Sequence, residues 1–361
     1  MSTAILMQAL SEASALDMSA AKTSLKTSRT PVRLGFLGTG WIGRLRMQAL
    51  LDAQAIMEQP LARYCAVCDP CPQAAASAAA LGEEITVYSN IADLLDADLD
   101  GVVIATPSAL HAEQCVDVLD SGKAVFCQKP LARTSAETTR VIQSAWRANK
   151  LLGIDFSYRH LHGMDVLRQQ IAAGELGELV AIDLTFHNAY GPDKPWFYDM
   201  ASSGGGCVMD LGIHLVDLAL WLTGTSDVNQ LSSTLYHQGQ RLRPPYNHVE
   251  DYAIAEFGLG NSRARLCCSW NLHAGQDAVI EAHFYGTKGG AVLRNINGSF
   301  FDFELERTQG TSRHRLAGPP DAWGGRALLH WVTRLAENDQ YDPEVEQALK
   351  VAHIIDRIYC R

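Results

Sequence analysis

The stretch Gly38-Thr39-Gly40-Trp41-Ile42-Gly43 constrains this chain more than any other. It follows Val32–Leu37, a short and almost wholly apolar run, and opens residues 42–57, where apolar side chains recur at helical spacing. A strand, a glycine turn and a helix in that order form the start of a dinucleotide fold. Gly38 permits the tight turn, Gly40 lets backbone approach a pyrophosphate, and Gly43 lets helix and strand pack closely. The N–H groups of the helix start, at Trp41 and Ile42, then offer a positive dipole end to phosphate. A glycine reversal with no ligand has the same composition, so the surrounding pattern has to decide.

That pattern continues. Residues 64–68, 86–88, 101–105, 124–127 and 151–156 read as strands, and 73–81, 91–95, 111–119 and 134–149 as helices. The alternation predicts βαβ units and a parallel sheet covered on both faces. After residue 156 the rhythm changes. Residues 180–187, 230–237, 252–257, 263–270, 279–285 and 301–305 are longer, partly alternating segments with few helices between them. They predict a mostly antiparallel, open-faced sheet with helices on one face, an α+β unit behind the α/β one. Helices are expected at 207–222 and 344–358. A chain of 361 residues exceeds what one core serves. The expected division is an arm at 1–30, a nucleotide domain at 31–155 and a second domain at 156–361.

Acidic residues outnumber basic ones 40 to 30, for a formal charge of -10, a field that disfavours nucleic acid and anionic membrane as partners. No uncharged apolar run approaches the roughly 18 residues of a bilayer span. Nine cysteines, an odd number scattered through apolar segments, do not form a secreted disulfide framework. A soluble, cytoplasmic protein is the expectation.

Asp69 closes the second strand, 26 residues after Gly43. A carboxylate there accepts from both ribose hydroxyls and repels a 2′-phosphate, favouring NAD over NADP; a turn residue before Pro70 is the other reading. Cys65, Cys68 and Cys71 lack a fourth partner at useful spacing and read as strand and turn residues, not as a metal site. Lys129, at the C-terminal end of a predicted parallel strand, lies where open α/β sheets bind ligands and offers an ammonium to an alkoxide or carbonyl oxygen. In Gly204–Asp217, helical spacing puts Asp210, His214 and Asp217 on one stripe. Burying them in so apolar a helix is costly unless they face each other, a cavity or a ligand. An Asp–His pair four residues apart suits acid–base work, the carboxylate orienting the imidazole and raising its pKa. Without a second histidine at ligand spacing no metal is expected.

Together these motifs resemble the Gfo/Idh/MocA family from about Val32 to Arg361. Gly38–Gly43 is similar to its fingerprint, Ala105-Thr106-Pro107 with His111 to its ATPxxxH segment, and Gly204–Asp217 to its GGGxxxDxGxHxxD stretch. Gln128-Lys129-Pro130 stands where the family has EKP, so the usual glutamate is Gln128 here. Glutamine keeps an acceptor for a ribose hydroxyl and loses a charge beside Lys129. Glu250-Asp251 and Gly286–Gly289 are further landmarks. The resemblance implies a Rossmann domain joined to an open-faced sheet domain, with NAD and a sugar, polyol or cyclitol between them. It implies cofactor contacts at Thr106, Pro107, His111, Gln128 and Lys129. His214 would exchange the hydroxyl proton, Lys129 bind the reacting oxygen and Asp210 position substrate or imidazole. Arg159, His187, Asn188 and Trp196 are candidate substrate contacts, though packing alone also explains Trp196. A homodimer or homotetramer through the second sheet is implied too. Retention of Lys129, Asp210 and His214 favours catalysis over one alternative of the same fold, a non-catalytic dinucleotide-binding regulator. A second alternative, a redox-neutral NAD-dependent glycoside-cleaving enzyme, carries the same residues and stays open beside net hydride transfer.

Overall fold

The computed structural model describes residues 30–225 and 227–361; the expected N-terminal arm lies outside them. The first sheet holds β1 (Val32–Leu37), β2 (Ala62–Cys68), β3 (Thr86–Tyr88), β4 (Gly101–Ile104), β5 (Ala124–Cys127) and β6 (Leu152–Ile154), in spatial order β3-β2-β1-β4-β5-β6. All its pairings are parallel. β4 and β5 are buried at every residue because helices cover both faces, hence their unbroken apolar sequences. The connecting helices are α1 (Trp41–Gln54), α2 (Pro72–Ala79), α3 (Ile91–Asp96), α4 (Ser108–Asp120) and α5 (Ser135–Ala148). α5 is capped by Thr134, whose Oγ1 accepts from Glu137 N at 3.1 Å, while the Glu137 carboxylate accepts from Arg133 N at 3.0 Å. It ends at Asn149 in the left-handed region, φ 49°. The order of strands reverses between β1 and β4, which opens a crevice at the carboxyl ends of the strands.

The second sheet holds β7 (Leu179–Asn188), β8 (Val228–His237), β9 (Gln240–Arg241), β10 (Tyr252–Leu259), β11 (Ser262–Ser269), β12 (Ala278–Gly286), β13 (Gly290–Asn295), β14 (Phe303–Gln309) and β15 (Ser312–Ala317). Their spatial order is β15-β14-β13-β12-β7-β11-β10-β8-β9. The sheet is mixed: β7 and β11 run parallel, and the remaining pairs are antiparallel. Its inner face is covered by α8 (Ile213–Thr223) and α10 (Gln347–Ile358), with α6 (Met164–Ala172) packed on α8; α7 (Met200–Ser203) precedes α8 and α9 (Arg326–Glu337) precedes α10 in the chain.

α9 departs from the expected division at residue 156. It buries Leu328, Trp331 and Val332 with Val32, Leu34, Phe36 and Phe126 of the first sheet. The strands make room for it with glycine: a Cβ on Gly101 or Gly153 would lie 2.7 or 2.5 Å from the Trp331 ring. The first domain is completed by a helix some 170 residues downstream of its last strand (Leu152–Ile154 to Arg326–Glu337). The helical span Met200–Thr223 is long and apolar enough to cross a bilayer by composition, but 89% of its most apolar window is buried inside the protein. It is the core helix of the second domain.

Candidate active site

The glycine turn is shaped by contact. Gly38 has φ 83°, and a Cβ there would sit 2.7 Å from the Ala105 carbonyl carbon and the Thr106 nitrogen. A Cβ on Gly43 would lie 2.3 Å from Gly38 O. Gly40 meets nothing within 4 Å, so its side faces open space into which a ligand can come against the backbone. No side chain caps α1 and no acid stands in its first turn, so its first N–H groups keep their affinity for an anion. Trp41, 53% exposed, and Ile42 form that first turn. Asp69 Oδ2 accepts from Thr39 N at 2.7 Å and Oδ1 from Cys71 N at 2.8 Å. The carboxylate is thereby fixed beside the turn, with lone pairs to spare. These residues fit the pyrophosphate and ribose of a dinucleotide.

Opposite lies the β4–α4 loop. His111 is buried beneath it, its two ring nitrogens each 2.7 Å from a carbonyl, Pro130 O and Thr106 O. Expected as a cofactor contact, His111 is instead a clamp that ties the Thr106-Pro107 loop to the segment carrying Lys129. The two carbonyls leave neither ring nitrogen for a ligand. Gln128 is buried, and its Nε2 donates to Asp155.

Lys129 Nζ donates to Asp210 O at 2.6 Å and to Asp210 Oδ1 at 2.9 Å. An ammonium has three N–H groups, so one is left for a ligand. Trp270 Nε1 donates to the other carboxylate oxygen, Asp210 Oδ2, at 3.2 Å. His214 makes no such bond: its Nδ1 is buried without a partner among the described residues. The expected Asp210–His214 pair is therefore absent. Its register assumed an ordinary helix, but Val208–Gly212 is π-wound, with Ile213 N bonding Val208 O. That wide turn breaks the 3.6-residue stripe and gives Asp210 to Lys129 and Trp270. His214 stacks instead on Tyr158, ring centroids 5.0 Å apart. Burial above all, then Lys129 and Arg46, hold its pKa well below the usual value, not raised as a carboxylate partner implies. Trp270 and Tyr158 carry no signal in the sequence, because each meets the Asp210–His214 segment only through the fold.

The segment is anchored by a buried acid. Glu250 Oε1 accepts from Val208 N at 2.8 Å and from Tyr359 Oη at 2.7 Å, and Gly206 N lies 3.0–3.1 Å from both oxygens. A Cβ on Gly206 would be 1.9 Å from Glu250 O. Glu250→Ala strands these donors, a loss on the order of 3 kcal/mol or more. At this size that lowers the melting temperature by at least about 4 °C. An unchanged melting curve by calorimetry would show that the glycine run is held by something else.

Three expected contacts fall elsewhere, and a fourth, Trp196, stands at the margin of the site. Arg159 is committed to Asp217, with Nε donating to Oδ2 at 2.8 Å and Nη2 to Oδ1. The pair explains how the helix buries Asp217, whose pKa burial raises and Arg159 pulls back. Arg159 lines a separate cleft of about 280 Å3 whose walls include none of Lys129, Asp210 and His214. His187 is on the sheet's other face: Ile182, Leu184 and Phe186 of β7 point inward, and His187 pairs with Ser269 Oγ at 2.8 Å and stacks on Tyr252. Asn188 caps a turn, accepting from Tyr190 N at 2.8 Å. Trp196 stacks on Phe197 at 3.8 Å, in a short aromatic wall whose Phe197 and Tyr198 edges meet Trp270. It stands two side chains away from Asp210. Among the described residues no group of three or more His, Cys, Asp or Glu side chains is placed to hold a metal.

Residues 32–156 match the oxidoreductase family with an NAD-binding Rossmann fold, and residues 164–292 match the GFO/IDH/MocA C-terminal domain. The rhizopine catabolism protein MocA of Rhizobium meliloti is 31% identical over 320 residues, covering 86% of this chain and 96% of the relative. This chain belongs to the Gfo/Idh/MocA oxidoreductase family. Inositol 2-dehydrogenase of Rhizobium meliloti is 28% identical, covering 73% of this chain and 76% of its own. Among solved structures, a levoglucosan dehydrogenase in complex with NADH shares the fold at TM-score 0.76 and 22% identity, covering 91% of this chain and 96% of its own. A 3-ketoreductase from Actinomadura kijaniata with bound NADP has TM-score 0.76 at 19% identity, covering 92% and 98%.

Proposed function

We propose that this Gfo/Idh/MocA protein is an NAD-dependent dehydrogenase that moves a hydride between a hydroxyl-bearing carbon of a sugar, polyol or cyclitol and the nicotinamide. The observation that carries the reading is the Lys129–Asp210 contact beside the partnerless, depressed-pKa imidazole of His214. NAD, when bound, supplies the hydride acceptor at nicotinamide C4. The chain's own residues do the rest. The spare N–H of Lys129 binds the reacting oxygen, and neutral His214 takes the hydroxyl proton in oxidation and returns it in reduction. Asp210, gripped by Lys129 and Trp270, aims the ammonium and has lone pairs for a substrate hydroxyl. Trp196, Phe197 and Tyr198 offer ring faces of the kind that stack on sugars. The relatives named above include proteins called inositol and levoglucosan dehydrogenase, which supports the same substrate class. The direct test is a panel of sugars, inositols, sugar acids and nucleotide sugars, scored by NADH absorbance. At least one class should give NADH at a rate proportional to enzyme; none doing so sinks the reading.

Asp69 supports NAD over NADP. A 2′-phosphate would meet a carboxylate fixed by Thr39 and Cys71, so kcat/KM should favour NAD at least about tenfold. Asp69→Ser should narrow that ratio by raising NADP use. Equal kcat/KM for the two cofactors in the wild type rejects this role.

The second sheet's outer face supports an oligomer. It carries His187, Tyr236, Tyr252 and Cys267 half-buried beside exposed Arg265 and Tyr285. A second copy of the chain would cover it isologously, giving a dimer or a dimer of dimers. Light scattering at micromolar concentration checks this, a monomer contradicting it. The nine cysteines include no disulfide, in keeping with a reducing cytoplasm.

A further inference from the structure

Asp155 follows β6, is 1% exposed and has no part in the mechanism above. Its Oδ2 accepts from Arg46 Nε and from Gln128 Nε2, and its Oδ1 accepts from Ser157 Oγ. Arg46, itself buried on α1, also donates to Ser157 Oγ at 3.2 Å and to Gly324 O. One buried carboxylate thus joins the first helix of the nucleotide fold, the end of β5 and the end of β6.

The chemistry of this cluster sets the direction of an amide. An ionised carboxylate only accepts, so Gln128 must turn its N–H2 toward Asp155 and its Oε1 away. Among the described residues Oε1 has no hydrogen-bond partner, and it is not one of the sealed polar atoms. It belongs to the residue before Lys129, at the sheet edge where the dinucleotide is read to bind. A glutamate at 128 would set a second carboxylate against Asp155, and one of the two would have to take up a proton.

We propose that Asp155, held by Arg46, is a positioning residue for the cofactor: it locks the Gln128 amide so that Oε1 accepts from a hydroxyl of the bound dinucleotide. The proposal rests on the dinucleotide reading of this crevice. In this chain the buried negative charge at the β5–β6 edge stands at position 155, against an uncharged amide at position 128.

A double-mutant cycle tests it, with Gln128→Glu, Asp155→Asn and the two combined. Each protein is read by cofactor-free melting temperature, by NADH affinity from fluorescence, and by KM for NAD against kcat. Gln128→Glu should melt earlier than wild type and bind NADH about tenfold more weakly, with KM for NAD rising more than kcat falls. Asp155→Asn leaves Arg46 without its counter-charge and should lose melting temperature as well. The combined variant again places one carboxylate and one amide across the contact, and should recover both melting temperature and NADH affinity relative to either single change. Additive losses in the combined variant would overturn the proposal. So would Gln128→Glu that melts early yet binds NADH like wild type, because the cluster would then be structural only. A wild type that binds no NADH would sink the dinucleotide reading and this role with it; the cofactor-free melting cycle would still show whether the charge at 155 and the amide at 128 are coupled.

Discussion

His214→Ala should lower kcat for oxidation by on the order of 100-fold, equivalent to about 2.7 kcal/mol, while NADH affinity stays within about threefold. The imidazole has nothing to do for binding the nucleotide. Its Nδ1 is sealed and partnerless, its ring lies flat on Tyr158, and the segment around it is held by Glu250 and Tyr359 without its help. Removing it therefore takes away a proton acceptor and leaves the scaffold. The pH dependence carries a sign. Burial, Lys129 and Arg46 all disfavour the imidazolium, so His214 remains a neutral base as pH falls through 6.5, its ordinary value. Oxidation by the wild type should accordingly hold its kcat/KM through that pH and decline only at lower values. Reduction needs the protonated ring and should speed up as pH falls over the same range. His214→Gln, which fills much of the ring's volume, should lose this dependence in both directions. Near-normal turnover in either variant, or a loss explained by early melting, would make His214 structural.

Lys129→Ala should be at least as damaging, with kcat down by roughly 100- to 1,000-fold, because the ammonium is the only donor held at the reacting oxygen in this account. Two of its three N–H groups are spent on Asp210, so its direction is set before substrate arrives. Loss of the lysine also leaves the Asp210 carboxylate with Trp270 as its one remaining donor among the described residues. Lys129→Arg should not rescue: a planar guanidinium cannot place a single N–H where the ammonium stood, and its bulk displaces Asp210. Lys129→Met keeps the apolar stem and separates charge from packing. If it melts like wild type and is as slow as the alanine variant, the charge is what matters; if it turns over normally, the lysine has no part in the chemistry.

The parts of this site that were legible in the sequence share a cause. Gly38, Gly40 and Gly43, with the strand before and the helix after, are local, and local patterning survives folding. Lys129 at the end of β5 was placed by the rule that ligands lie at the carboxyl edge of a parallel sheet. What escaped notice came from non-local geometry. The π turn at Val208–Gly212 leaves no mark in an apolar run, so ordinary helical spacing predicts an Asp210–His214 pair that the fold does not make. Trp270 reaches Asp210 across 60 residues of chain and Tyr158 reaches His214 across 56, and neither is signalled by spacing. His187 is different, because its misplacement was avoidable. Ile182, Leu184 and Phe186 alternate with it on β7, and that parity already assigns His187 to the opposite face. Arg159 and Asp217 each looked like candidates for a ligand, and only the fold shows that each is the other's partner.

The central claim is that hydride passes between a substrate carbon and the nicotinamide with net redox change. It is tested most directly by isotope. A sugar or polyol that turns over is labelled with deuterium at the reacting carbon, and the nicotinamide product is weighed by mass spectrometry. One deuterium is expected in released NADH for each substrate oxidised, and about a hundredth as much labelled NADH with His214→Ala on the same timescale. Substrate consumed while the chain retains its nucleotide and releases no deuterated NADH would contradict it, and would make the protein a redox-neutral catalyst instead.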